Sequence, residues 1–225
     1  MSLLTPRRVE SEELLDEHDA PEEDMLRSLD DLRRFNRYLG GIQIYRRLVK
    51  RLVPDPGKPL TVLDLGTGTS DLLEGLNRPR LLPVGLDFKL QHLLYGKKLG
   101  GNTRRVAADA FRVPFASESV DVVTSAHFFH HFSPDENVRI LEEALRVARI
   151  GVAVNDTRRH HLTLLFTLLI GALGLVGRIT KFDAPASVRQ GYTLSEARAI
   201  AARVKARRAE VIRAFPFRFG LLLWK

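Results

Sequence analysis

The sequence predicts an α/β fold, a seven-stranded, mostly parallel sheet with an antiparallel terminal strand and an N-terminal helical cap. Three observations carry this. Between residues 60 and 155 short apolar runs alternate with helical stretches, the pattern of βαβ units. Two further apolar runs, 209–215 and 217–224, meet at Pro216 as an antiparallel pair would. Ahead of the sheet, two apolar stripes at helical spacing flank Gly40-Gly41.

Taken in chain order, residues 1–24 are acidic and have no sustained apolar period, so a flexible arm that adds little to the core is expected. Leu26, Leu29, Leu32, Phe35 and Leu39 form the first stripe, and Ile42, Tyr45, Leu48, Val49 and Leu52 the second. They make a helical cap over 25–57. Pro54, Pro56, Gly57 and Pro59 end it, because proline fixes φ and withholds a donor. The main domain then runs over 58–225, with strands expected at 60–65, 82–87, 104–108, 120–125 and 150–155. Ser133-Pro134-Asp135-Glu136 supplies an N-cap, a proline at the first helical position and a capping-box glutamate, so 137–148 reads as a helix. Thr193 and Glu196 repeat that spacing ahead of a helix at 197–204.

The segment 162–177 has no charge in sixteen residues and lies between Arg158-Arg159-His160-His161 and Arg178 with Lys181. Spanning a bilayer takes about 20 apolar residues, and glycines at 171, 174 and 177 weaken this helix further. It reads first as a cover over an apolar pocket, within a helical lid insertion near 157–190. A peripheral contact with a membrane surface is its second reading.

At 225 residues, 44% hydrophobic and 28% charged, the chain holds one substantial core. The absence of cysteine excludes disulfides, Cys-ligated zinc, iron–sulfur chemistry and thiolate nucleophiles. The net charge of +8 divides into −8 over residues 1–31 and +16 over the rest. The basic residues are dispersed among apolar ones, which reads as a solvated surface, and no nucleic-acid partner is expected. The acidic N-terminus is unlike a secretory signal, so the expected compartment is the cytoplasm.

The chemistry concentrates in three places. Thr61-Val62-Leu63-Asp64-Leu65-Gly66-Thr67-Gly68-Thr69-Ser70 is a buried strand entering a glycine-rich turn, where the backbone can approach a ligand closely. A tight strand-to-helix turn in any α/β protein also favours glycine. The next strand ends at Gly85-Leu86-Asp87, about 20 residues beyond the turn, where a carboxylate can accept both hydroxyl protons of a ribose. Nicotinamide enzymes share this pair. The third place discriminates: Ala107-Ala108-Asp109-Ala110, then Val113-Pro114-Phe115 and the strand Val120-Asp121-Val122-Val123.

With that element the chain resembles the class I S-adenosylmethionine-dependent methyltransferases, whose sheet is Rossmann-like. The resemblance implies that Asp64 serves the methionine end of the cofactor, Asp87 its ribose and Asp109 its adenine. Gly66, Thr67, Gly68, Phe88, Ala110, Ser125 and His127 fall into the same pocket on this alignment of motifs. The chain departs from the pattern at Ser70, where a third glycine is common. Ser125-Ala126-His127-Phe128-Phe129-His130-His131-Phe132 is similar to the corresponding segment of the ubiquinone and menaquinone methyltransferases, and no Asn/Asp-Pro-Pro-aromatic motif of nucleic-acid amino-methyltransferases stands there. The resemblance therefore implies a small, largely apolar acceptor, with a phenolic, quinone-precursor or polyketide hydroxyl the expected class.

Methyl transfer needs alignment and removal of the acceptor proton. His130 or His131 is the candidate base, since an imidazole titrates near neutrality; either could instead bond backbone at a helix entrance. Asp156, after the fifth strand, either orients an acceptor hydroxyl or caps the next helix, and Arg158 could engage an acceptor carboxylate. Adjacent histidine rings diverge on a helix and no acidic partner is spaced nearby to complete a site, so no metal is expected. Two rivals stay open: an RNA methyltransferase, motivated by Arg198, Arg203, Lys205, Arg207 and Arg208, and a non-catalytic cofactor-binding protein.

Overall fold

A computed structural model describes residues 5–16, 20–54, 57–76 and 80–225. Pro56 and parts of the acidic arm, 1–4 and 17–19, lie outside the described residues. The elements in order are α1 (Glu22–Tyr38), α2 (Gly41–Leu52), β1 (Leu60–Leu65), α3 (Asp71–Gly75), β2 (Leu81–Asp87), α4 (Leu90–Lys98), β3 (Arg104–Ala107), β4 (Val120–Ala126), α5 (Pro134–Val147), β5 (Ala148–Thr157), α6 (His161–Ala172), α7 (Arg178–Gln190), α8 (Leu194–Ala201), β6 (Arg208–Ala214) and β7 (Arg218–Trp224). All seven expected strands form, each within about two residues of its expected span.

The sheet order is β3-β2-β1-β4-β5-β7-β6, with β1 to β5 parallel and β7 antiparallel to both β5 and β6. Side chains alternate across it. Leu63, Leu65, Val123, Val152, Val154 and Leu221 belong to one buried cluster, packed against α5 and α8. Val62, Val122, Ala153 and Leu222, their immediate neighbours in sequence, belong to a second cluster packed against α2 and α3. The strands are buried on both faces, which is why they read as continuous apolar runs.

Both expected capping boxes are present. Ser133 Oγ accepts from Glu136 N while Glu136 Oε2 accepts from Ser133 N at 2.8 Å, and Thr193 with Glu196 does the same. Each gives its helix a fixed start, worth about 1 kcal/mol per cap. The helix corner at Gly40 has φ +79, and a Cβ on Gly41 would stand 2.5 Å from Asn36 Oδ1, so α1 and α2 meet too closely for any other residue there. The uncharged segment forms α6 and the turn into α7. No helix among the described residues is long and apolar enough to cross a membrane.

Candidate active site

The winding of the sheet reverses between β1 and β4, and in open α/β sheets the ligand crevice lies beyond the strand carboxyl ends at that point. There β1 enters a turn in which Gly66, Gly68 and Ser70 all take left-handed backbone, with φ of +66, +52 and +68. Ser70 thus adopts the conformation of the glycine it replaces. The two glycines serve different ends. A Cβ on Gly66 would fall 2.4 Å from Phe128 Cδ2, so this glycine admits the Phe128 ring. Nothing lies within 4 Å of a Cβ on Gly68, which leaves its backbone open to a cavity of 540 Å³.

Gly66, Gly68, Asp87, Phe88, Asp109, Ala110 and the three histidines of the 125–132 segment line this cavity. Asp87 is held by two backbone donors, Gly68 N at 2.7 Å and Lys89 N at 2.8 Å, one to each oxygen. Each oxygen keeps a second lone pair, as a ligand diol requires. Burial pushes the Asp87 carboxyl up, against the pull of His92 and these two N–H groups. Asp109 is exposed at the cavity wall and accepts from Phe111 N at 2.8 Å. Phe88 offers a ring that is 71% exposed at the rim.

Three residues expected in the pocket stand behind it. Asp64 accepts from Tyr45 Oη at 2.9 Å and Thr124 Oγ1 at 2.8 Å, and burial raises its carboxyl to about 6. Ser125 Oγ donates to Leu65 O, tying β4 to β1. Thr67 packs on Gly85, whose absent side chain lets the turn settle on β2. None of the three lines the cavity.

Asp156 governs the histidine segment. Its Oδ2 accepts the backbone N–H of Phe128, Phe129 and His130 at 3.1, 2.6 and 3.3 Å, and its Oδ1 accepts from Thr157 N and pairs with His130 Nδ1 at 2.7 Å. It is 1% exposed, so an acceptor has no access to it. Nor does it cap α6, which begins on His160. Burial would raise the Asp156 carboxyl, but the charge and hydrogen bond of His130 hold it well below the carboxylate range. Burial would likewise depress His130. Asp156 and Glu13 overcome that and raise it to about 10, so His130 is an imidazolium at neutral pH. His127 is the opposite case: burial, then the charge of Arg218, keeps it well below its usual value. It is neutral, accepts from Arg218 through Nε2, and lies 3.3 Å from Thr157 Oγ1 through Nδ1.

The acidic arm supplies what sequence spacing did not. Glu13 is buried, with Oε1 3.4 Å from His130 Nε2, 2.6 Å from Ser187 Oγ and 3.0 Å from Gln190 Nε2. Asp16 Oδ2 lies 3.1 Å from His131 Nδ1. Arg8 reaches Gln190 O and Phe132 O, and Leu14 N and Leu15 N donate to Asp183. The described part of the arm is therefore packed into the site, against the expectation that it adds little to the core. It also removes the premise that no acid adjoins the histidines: Glu13, His130 and His131 each offer a donor atom within 4.8 Å of the others. As arranged, the place between Glu13 and Asp156 is filled by the His130 cation, and a metal ion would have to displace its proton.

A second, apolar cavity of 100 Å³ adjoins the first, enclosed by α1, α6, α7 and the β6–β7 turn. Glu13, Leu15, Leu32, His127 and Ser187 line both. The inner face of α6 (Thr163, Phe166, Thr167 and Ile170) forms one wall. Phe35 of α1, Asp183 of α7 and Arg218 of β7 also line it, three residues to which the sequence assigned no part in the site. Arg158 lines neither cavity.

Comparison with known proteins accords with this geometry. A family model described as a methyltransferase domain matches residues 63–154. A demethylmenaquinone methyltransferase of Roseiflexus sp. (strain RS-1) is 36% identical over 96 residues, 41% of this chain and 40% of that protein. That of Corynebacterium kroppenstedtii is 34% identical over 114 residues, 50% of this chain and 47% of its own. The chain thus spans less than half the length of these curated relatives. Among solved structures, a plantazolicin methyltransferase in complex with SAH superposes with a TM-score of 0.70 at 15% identity, covering 92% of this chain and 91% of that one. A SAM-dependent methyltransferase from Aquifex aeolicus gives 0.61 at 19% identity, covering 87% and 97%. These structural likenesses concern the fold.

Proposed function

We propose that the chain is a class I S-adenosylmethionine-dependent methyltransferase that moves the methyl group of that cofactor to a small, largely apolar acceptor such as a phenolic or quinone-precursor hydroxyl, a reading supported by its match to a methyltransferase-domain model over residues 63–154. One observation carries this reading: a cavity at the glycine turn, with the carboxylates of Asp87 and Asp109 in its lining, and an apolar cavity under α6 and α7 share a wall at Glu13 and His127. The residues of the first cavity fit the cofactor. Gly68 leaves the backbone bare, Asp87 keeps lone pairs for the ribose hydroxyls, and Asp109 with Phe88 stands at the adenine end. Bound there, S-adenosylmethionine supplies an electrophilic methyl carbon on a sulfonium centre.

The chain's own groups do the rest. The apolar cavity holds the acceptor and excludes water, so the acceptor oxygen is desolvated and aligned for in-line attack. Glu13, ionised and at the shared wall, accepts the acceptor's proton. His130 faces Glu13 and offsets the negative charge that develops on the acceptor oxygen. Asp156 positions His130 by accepting its Nδ1–H at 2.7 Å. In this reading neither His130, already protonated, nor His131, paired with Asp16 outside the apolar cavity, is the base.

Two measurements test it. Calorimetric titration should give binding of S-adenosylhomocysteine and none of NAD. Transfer of label from methyl-labelled cofactor to a panel of lipophilic phenols and quinols should give product. Cofactor binding with no transfer to any acceptor would leave the non-catalytic rival standing, and binding of NAD alone would overturn the family-based reading.

A further inference from the structure

From Leu162 onward helix α6 carries no charged residue on any side. Its inner face closes the apolar cavity, yet its outer face is not covered by protein: Leu162, Leu165 and Leu169, with Leu173 and Leu175 in the following turn and Phe182 on α7, are each more than half exposed. The β6–β7 turn extends this patch. Phe217 stacks on Phe166 of α6 with centroids 5.1 Å apart, and Phe215 beside it is 83% exposed. A contiguous group of this kind marks an interaction surface, whereas single exposed leucines do not.

The charge around the patch identifies the partner. From Thr157 through Phe182 there is no Asp or Glu, while Arg158, Arg159, Arg178 and Lys181 bracket the apolar stretch. Arg159 and Arg178 have carboxylates nearby, Glu196 and Asp24. Arg158, Arg213 and Lys181 pair with none among the described residues. Arg158 and Arg213 meet at the start of α6 beside His160 and His161; burial, then these cations, hold His160 below its ordinary value. Arg213 is exposed and Arg158 half-buried. Guanidinium groups beside an exposed apolar helix face suit the phosphates and acyl region of an anionic bilayer.

We infer that α6, the turn after it and the Arg158–Arg213 cluster dock the protein onto an anionic phospholipid surface, placing the apolar cavity at the membrane face. The docking surface and the cavity wall are two sides of one helix. A lipophilic acceptor dissolved in the bilayer would then enter between α6 and the β6–β7 turn without crossing water. That delivery role rests on the methyl-transfer reading; the docking itself does not.

The test is sedimentation of the full chain with sucrose-loaded vesicles, either phosphatidylcholine alone or phosphatidylcholine with about one third phosphatidylglycerol. Wild type should bind the anionic vesicles at least tenfold more tightly than the neutral ones, and 0.5 M salt should weaken that preference. Leu165→Glu/Leu169→Glu and, separately, Arg158→Gln/Arg213→Gln should each weaken binding about tenfold or more. Both variants must retain S-adenosylhomocysteine affinity, which shows them folded and keeps this test apart from failure of the methyltransferase reading. Wild type that stays in the supernatant with anionic vesicles overturns the inference. So does a wild-type dimer in mass photometry that Leu165→Glu/Leu169→Glu converts to monomer with no change in vesicle binding, because the patch is then covered by a second copy.

Discussion

Replacing His130 with glutamine tests whether this imidazole is a cation in the folded chain. Its Nδ1 lies 2.7 Å from Asp156 and its Nε2 3.4 Å from Glu13, and their combined field raises its pKa to about 10. An unfolded histidine titrates near 6.5, and at ~1.4 kcal/mol per pH unit the interval corresponds to about 5 kcal/mol. Because the folded value is the higher one, this stabilisation is fully present below pH ~6.5 and is lost as pH rises towards 10. Urea unfolding of wild type and His130→Gln should therefore be compared at pH 6.5, 8 and 9.5. The difference between the two proteins should shrink by about 4 kcal/mol over that range. Taking the difference cancels the groups that titrate alike in both. Nitrogen-15 spectra of the labelled ring should show both nitrogens protonated at pH 7.5. A stability difference constant to about 0.5 kcal/mol, with one ring nitrogen bare, would refute the reasoning and return His130 to the role of base.

Other substitutions probe separate parts of the site. Asp87→Ala should weaken S-adenosylhomocysteine binding by about 1.5–3 kcal/mol, the range for hydrogen bonds to a charged partner; unchanged affinity in calorimetry would remove Asp87 from the ribose position. Gly68→Val should abolish that binding in a protein that stays folded by circular dichroism, with the melting temperature lowered by backbone strain alone, whereas Gly66→Val should lower it further, because its side chain also meets Phe128. Equal thermal stability of the two valine variants would contradict the distinct roles given to these glycines. Glu13→Gln should fold and bind cofactor but lower the transfer rate by about 10²-fold or more, the scale of a lost general base; a rate within a factor of three of wild type would exclude Glu13 from proton removal.

The sheet was legible because its information is local. Strands buried on both faces must be apolar throughout, and Ser133 to Glu136 and Thr193 to Glu196 state two helix starts within four residues each. That the glycine turn and Asp87 stand side by side follows from the parallel pairing of β1 with β2, which brings Gly68 N to Asp87 Oδ2 at 2.7 Å. Asp64 shows the limit of position alone. It opens the turn as the motif requires, yet Tyr45, a residue of the helical stripe, turns its carboxylate away from the cavity.

The histidine segment failed to declare its roles because those roles are set by partners remote in sequence. Asp156 lies 26 residues from His130, and nothing in Asn155-Asp156-Thr157 announces a carboxylate that will gather three successive N–H groups. Glu13 is more distant still, in a stretch whose acidity and lack of apolar period describe a solvated arm. What draws it in is a pair of buried donors from α7 and the histidine segment, Gln190 and His130, each needing an acceptor, with Ser187 Oγ beside them. Asp183 gives the arm its second anchor by accepting from Leu14 N and Leu15 N, although burial raises its carboxyl to about 6. The arm carries few apolar residues because its place is at a polar junction between two cavities, where a carboxylate must remain charged. Its acidity, which on sequence grounds argued for solvent, is the property that lets Glu13 compensate the buried His130 cation.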